Sequence, residues 1–163
     1  MSYDKLFINL VLVISSCLSF SQTLPQPGLK SEFLYNIDIA VDTSINIGKS
    51  LVGDRIFYRV NGGTFEGPRL KGRVLSSGGD YALRLDSVTM KLEVRLILET
   101  EDGELIYNIY NGYIYDNPDG TKYWRVCNFY ETASKKYSWL NHILAVGIAK
   151  GNDKAWYDVC EIK

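Results

Sequence analysis

The densest run of side chains able to do chemistry is Gly62-Gly63-Thr64-Phe65-Glu66-Gly67-Pro68-Arg69-Leu70-Lys71-Gly72. Glycines at this density allow bending and close backbone approach, which places Glu66 and Arg69 near a strand mouth. There Glu66 could act as an acid or base, and the planar donor fork of Arg69 could hold a carboxylate or enolate oxygen. A structural salt bridge at a turn is the competing reading. A second group runs Tyr123-Trp124-Arg125-Val126-Cys127-Asn128-Phe129-Tyr130-Glu131-Thr132 and continues with Lys136-Tyr137-Ser138-Trp139-Leu140-Asn141. Aromatics alternating with polar groups can line an amphipathic pocket in which Glu131 or Asn141 fixes orientation. Aromatics are also good strand formers, so sheet packing explains them equally well.

Several other chemistries find no support. His142 is the sole histidine, so a His-rich zinc site is excluded and a Ser-His-Asp or Cys-His catalyst would rest on that residue alone. No GxSxG elbow and no phosphate loop accompany it. Lysine plus arginine total 18 against 19 aspartate plus glutamate, so no strong field steers nucleic acid or anionic lipid. Aromatic stacking on single strands would need basic residues tracking a phosphate backbone beside the rings. Neither a metal nor another cofactor is implied.

These residues must be positioned by strands. Tyr, Thr, Val and Ile crowd the middle of the chain, and turn signals recur at the short spacing of an antiparallel barrel or sandwich. The expected strands are Phe33–Val41, Arg55–Val60, Lys71–Leu75, Tyr81–Leu85, Lys91–Thr100, Leu105–Tyr115, Lys122–Glu131, Ile143–Ala149 and Lys154–Ile162. Glu101-Asp102-Gly103-Glu104 is the clearest hairpin turn, and turns are also expected at Gly78-Gly79, Asn117-Pro118-Asp119-Gly120 and Gly151-Asn152-Asp153. Leu92, Val94, Leu96 and Leu98 share one face of a strand whose other face carries Lys91, Glu93, Arg95, Ile97 and Glu99. If the leucine face fills the interior, Arg95 points outward.

The N-terminus reads as an export signal. Lys5 precedes the apolar run Leu6 to Ile14, and small residues lead to Ser19-Phe20-Ser21 before Gln22. Residues 1–21 are therefore expected to be a signal peptide and 22–163 a single domain in the periplasm or medium. The apolar run is short for a membrane span, and Thr23-Leu24-Pro25-Gln26-Pro27-Gly28 would break a helix behind it. Lipid attachment at Cys17, within Ile14-Ser15-Ser16-Cys17, is the alternative and would give a membrane-anchored protein. Cleavage after Ser21 leaves Cys127 and Cys160, which could pair in an oxidising compartment or pack as two separate thiols.

At its polar clusters the chain resembles the family catalogued as domain of unknown function 3237, compact antiparallel β-barrels from bacteria and fungi. The carriers are Gly62 to Gly72 as quoted, Gly78-Gly79-Asp80-Tyr81, Arg95 with Thr100-Glu101-Asp102-Gly103-Glu104-Leu105-Ile106-Tyr107, and Phe129-Tyr130-Glu131-Thr132 through Tyr137-Ser138-Trp139-Leu140-Asn141. The resemblance implies a lipocalin-like barrel of about eight to nine strands and marks Glu66, Arg69, Asp80, Arg95, Glu131, Trp139 and Asn141. It supplies no reaction. Cys127, Cys160 and the leader are departures from its pattern.

The resulting expectation is an exported barrel that binds a small, partly apolar, oxygenated molecule, with metal-free acid/base chemistry of isomerase, hydratase or hydrolase type. Glu66, Asp80 and Glu131 are its proton-transfer candidates. Arg69 and Arg95 would stabilise negative charge, while Tyr107, Tyr137, Trp139 and Asn141 shape the pocket. A non-catalytic carrier or sensor in the envelope would use the same pocket, and an interaction module would show a broad apolar patch instead.

Overall fold

The structure, a computed structural model, describes residues 28–163. The expected leader and the alternative lipid site at Cys17 lie outside them. Eight antiparallel strands follow one another around a closed ring. They are β1 (Ser31–Ser50), β2 (Gly53–Glu66), β3 (Lys71–Arg84), β4 (Thr89–Thr100), β5 (Leu105–Asp116), β6 (Lys122–Glu131), β7 (Ala145–Ala149) and β8 (Ala155–Ile162), with one turn of 3-10 helix at Ser138–His142 before β7. Each strand pairs with its neighbours in sequence, and β8 returns to β1 from Ser31↔Ile162 to Ile39↔Ala155. This is the all-β barrel that the strand spacing and the family resemblance lead one to expect.

Period-two alternation decides what is inside. Leu92, Val94, Leu96 and Leu98 are almost wholly buried, whereas Arg95 between them is exposed. Across the β4–β5 hairpin the same face continues as Ile106, Asn108 and Tyr110, and on β6 as Val126, Asn128 and Tyr130. Tyr137 and Leu140, from the segment after β6, join this core at the end where β6 finishes. The hydroxyls of Tyr35 and Tyr130 hydrogen-bond to each other at 2.7 Å within it, which relieves the cost of burying two phenols.

Eight strands form rather than nine because Lys71–Leu75 and Tyr81–Leu85 are parts of one strand. Gly78-Gly79 is a bulge inside β3, not the expected turn, and the pairing with β4 shifts between Val74↔Leu98 and Gly78↔Leu96. Gly78 has φ of +91°, and a Cβ there would stand 2.1 Å from the Arg95 carbonyl oxygen. A Cβ on Gly79 would strike the Phe57 ring at 2.4 Å. Two adjacent glycines thus signal close approach here, where sequence alone suggests reversal. The neighbouring strands are irregular at the same level: β1 shifts register around Val41, and β2 between Arg59 and Gly63. A seam of bulges therefore crosses β1, β2 and β3.

Beyond Ile39 the strand β1 leaves β8 and continues to Ser50 paired only with β2. Val41, Ile45 and Ile47 on this extension are exposed. The other turns form where the sequence places them, with Gly103 and Gly120 at φ of +82° and +83°.

Cys127 and Cys160 are both free. They oppose Val146 of β7 from its two sides, Cys127 on β6 and Cys160 on β8. Two strand spacings separate them by roughly 9–10 Å, beyond the roughly 7 Å between Cα atoms that a disulfide spans. Of the two readings of these cysteines, the structure has the separate thiols.

Candidate functional site

The expected site residues do not converge. Glu66 ends β2 and lines an open groove on the outer surface with Lys71, Arg73 and Glu99. Glu131, Tyr107 and Asn141 border a second outer depression at the same end of the barrel. Asn141 donates to the Thr132 carbonyl at 2.9 Å and accepts from the Thr132 N–H at 2.8 Å, so its amide pins the chain leaving β6. Tyr137 is buried and donates its hydroxyl to Asp102 at 3.0 Å. Lys136 and Thr100 also bond Asp102 and hold its carboxyl well below the usual carboxylate range.

Arg69 takes the plainer of its two roles. Its guanidinium bonds Glu161 at 2.5 Å and lies 3.9 Å from the Trp139 ring centre. Lys163 reaches the other Glu161 oxygen at 2.9 Å. The hydrogen bonds from Lys163 and Arg69 hold Glu161 below its ordinary range. Arg69 and Trp139 thus lock the last strand to the end of the barrel.

Asp80 alone among the three carboxyl candidates faces an interior cavity. It sits one residue beyond the Gly78-Gly79 bulge, opposite Tyr58 of β2 and Val94 of β4. Tyr58 is eight residues along β2 from Glu66, roughly 25 Å at strand rise. The cavity measures about 530 Å³ and lies in the half of the barrel beyond the seam, within the range of small-molecule sites. Its walls include Tyr58, Met90, Leu92, Tyr110, Trp124 and Tyr157. Its mouth lies where β1 has left β8, between Ala40 and Val41 on one side and Asn152, Asp153 and Lys154 on the other.

The electrostatics of this cavity follow from the burial of its polar groups. Asp80 accepts one hydrogen bond, from the Glu93 backbone N–H at 2.9 Å, and has no salt-bridge partner among the described residues. Desolvation outweighs that bond and pushes its carboxyl up from 3.8 to about 6. Burial, with the Asp80 charge added, raises the phenols of Tyr110 and Tyr157 as well, so both stay protonated. The Tyr157 ring meets Tyr110 at 5.9 Å between centres and Trp124 at 5.6 Å, at angles of 64° and 89°. Trp124 Nε1 is buried away from the cavity and bears on the Tyr157 phenol.

Tyr58, Tyr110, Trp124 and Tyr157 are functional candidates that the sequence reading passed over, although Trp124 lies in the quoted aromatic cluster. The available signal was the interior phase of β4, carried through the hairpin registers to β5 and β6. Among the described residues no cluster of three or more His, Cys, Asp or Glu side chains could hold a metal ion. No helix among them is long and apolar enough to cross a membrane.

Fold and cavity together define a closed antiparallel barrel with an interior cavity open at its mouth. Residues 29–162 match the family described as "Protein of unknown function (DUF3237)". The chain belongs to that family. It is 31% identical to a UPF0311 protein of Clostridium acetobutylicum over 69% of this chain and 80% of that one. With a UPF0311 protein of Bradyrhizobium diazoefficiens it shares 25% identity over 83% of this chain and 98% of the relative. Among solved structures, a β-barrel-like protein from Acinetobacter baumannii superposes with a TM-score of 0.80 at 32% identity, covering 85% of this chain and 98% of the other. An enzyme from Penicillium herquei shares the fold, with a TM-score of 0.71 at 22% identity over 86% of this chain and 98% of that one.

Proposed function

We propose that this chain is an exported protein that binds a small, partly apolar, oxygenated molecule inside the barrel and moves a proton on it through Asp80. The observation that carries the reading is a carboxyl raised to about 6 in a cavity walled by tyrosine, tryptophan and aliphatic side chains. At neutral pH such a group is mostly ionised yet basic enough to take a proton from an acidic O–H or C–H and return it elsewhere. Isomerisation, hydration or hydrolysis fits this equipment. Glu66 and Glu131, on the outer surface, have no part in it, and Arg69 and Arg95 do not contribute charge to the cavity.

A carrier or sensor is the second reading, favoured by the presence of one interior carboxyl where catalysis commonly uses two or more convergent groups. The test begins with native mass spectrometry of the protein purified from its own envelope. The expected result is a mature chain starting at Gln22 with a bound molecule that dissociates on mild heating of the gas-phase ion. Turnover of that molecule by the wild type and its loss in Asp80→Asn would establish the enzyme; equal binding by both without turnover would establish the carrier. An intact leader would overturn export after Ser21, and a lipid-modified Cys17 would replace it with an anchored form. A chain with no bound molecule and no thermal shift from any member of a broad small-molecule library would overturn the interior site.

A further inference from the structure

The interior cavity carries a charge pattern that selects among small molecules, an inference resting on the cavity being the binding site. Asp80 lies inside with one backbone hydrogen bond and no counter-ion among the described residues. The positive group that bears on it, Arg55, is tied to Glu93 at 3.3 Å. Around the cavity, Asp38, Asp80 and Asp153 stand against Lys122 and Lys154, and Lys122 is already paired with Asp116 at 2.6 Å. The Tyr157 ring meets Tyr110 at 64° and Trp124 at 89°, so the three form an aromatic corner. Asp80's charge reaches both tyrosines.

A neutral occupant would leave the desolvated carboxylate uncompensated, and an anion would be repelled by it. A cation would be drawn to Asp80 and to the negative faces of the rings on the cavity wall together. We infer that the cavity takes a small organic amine, protonated or quaternary. In this arrangement Asp80 is the counter-ion, and the half-buried Tyr58 and Trp124 rings on the cavity wall flank the cationic head.

The test uses isothermal titration calorimetry of the mature full-length protein at pH 7.5 with three probes of nearly the same shape. They are choline, its neutral carbon isostere 3,3-dimethylbutan-1-ol, and 3,3-dimethylbutanoate. Choline is expected to bind about tenfold or more tighter than the alcohol, with the carboxylate weakest. Asp80→Asn should abolish the difference between choline and the alcohol. An alcohol or carboxylate that binds as tightly as choline overturns the inference, as does a charge preference that survives in Asp80→Asn. No binding by any probe at millimolar concentration also overturns it. The interior site itself then stands only if the envelope-purified protein carries a different molecule, which keeps the two failures apart.

Discussion

Replacing Asp80 by asparagine should make the protein more stable at neutral pH while removing the carboxyl on which the proposed function rests. The folded-state carboxyl titrates at about 6 and the ordinary value is 3.8. Below 3.8 both folded and unfolded chains hold the proton, and burial costs little. Between 3.8 and 6 the folded state holds more protons than the unfolded one, so stability falls as pH rises through that window. At 1.36 kcal/mol per pKa unit the full loss is about 3 kcal/mol. Asparagine keeps the oxygen that accepts the Glu93 N–H, has nearly the same volume, and carries no charge to desolvate. Urea unfolding at pH 4.5, 6 and 8 is the assay. The wild type should lose stability across the series relative to the variant, and at pH 8 the variant should be roughly 1–3 kcal/mol the more stable. Parallel pH profiles, or a variant less stable than wild type at pH 8, would refute the desolvation argument and show that Asp80 is paired or hydrated.

Other perturbations should separate the framework from the site. Arg69→Ala removes a partner of buried Glu161 and the contact with Trp139, and should cost roughly 1–3 kcal/mol in urea unfolding, with ligand affinity at the interior site unchanged. Gly78→Ala combines a φ of +91° with a 2.1 Å approach to a carbonyl oxygen, so a loss of about 2 kcal/mol or more is expected by the same measurement. Glu66→Gln and Glu131→Gln, on the outer surface, should leave both stability and ligand binding close to wild type. Cys127 and Cys160 should each take one alkylating group under non-reducing denaturing conditions. Failure of both to react without reductant would contradict the register around Val146.

The barrel was legible because its strands alternate and its turns use distinctive residues. Leu92 to Leu98 announces a strand with one dry face, and Glu101-Asp102-Gly103-Glu104 announces the return. Gly78-Gly79 misled for a physical reason: a pair of glycines serves a tight reversal and a close-packed bulge equally, and what decides is the Phe57 ring and the Arg95 carbonyl, both remote in sequence. The site was legible only at Asp80. Glu66 and Arg69 share a conspicuous motif, but motif density reports crowding, and here the crowding belongs to the end of the barrel. Tyr58, Tyr110, Trp124 and Tyr157 sit on four different strands, so no local pattern joins them. Only the pairing registers bring them to one cavity.

The seam of bulges across β1, β2 and β3 divides the barrel into tiers with different freedoms. Below it, Leu96, Leu98, Ile106 and the paired hydroxyls of Tyr35 and Tyr130 fill the ring completely. Above it the wall parts from β8 and the interior is hollow. Exchanging side chains in the upper tier therefore leaves the packed tier untouched. Such a scaffold can acquire a new guest by altering Tyr58, Met90 or Trp124 without renegotiating its fold, and the raised carboxyl of Asp80 can be tuned by its neighbours alone. The bulges act as a joint between a packed foundation and an interchangeable vessel.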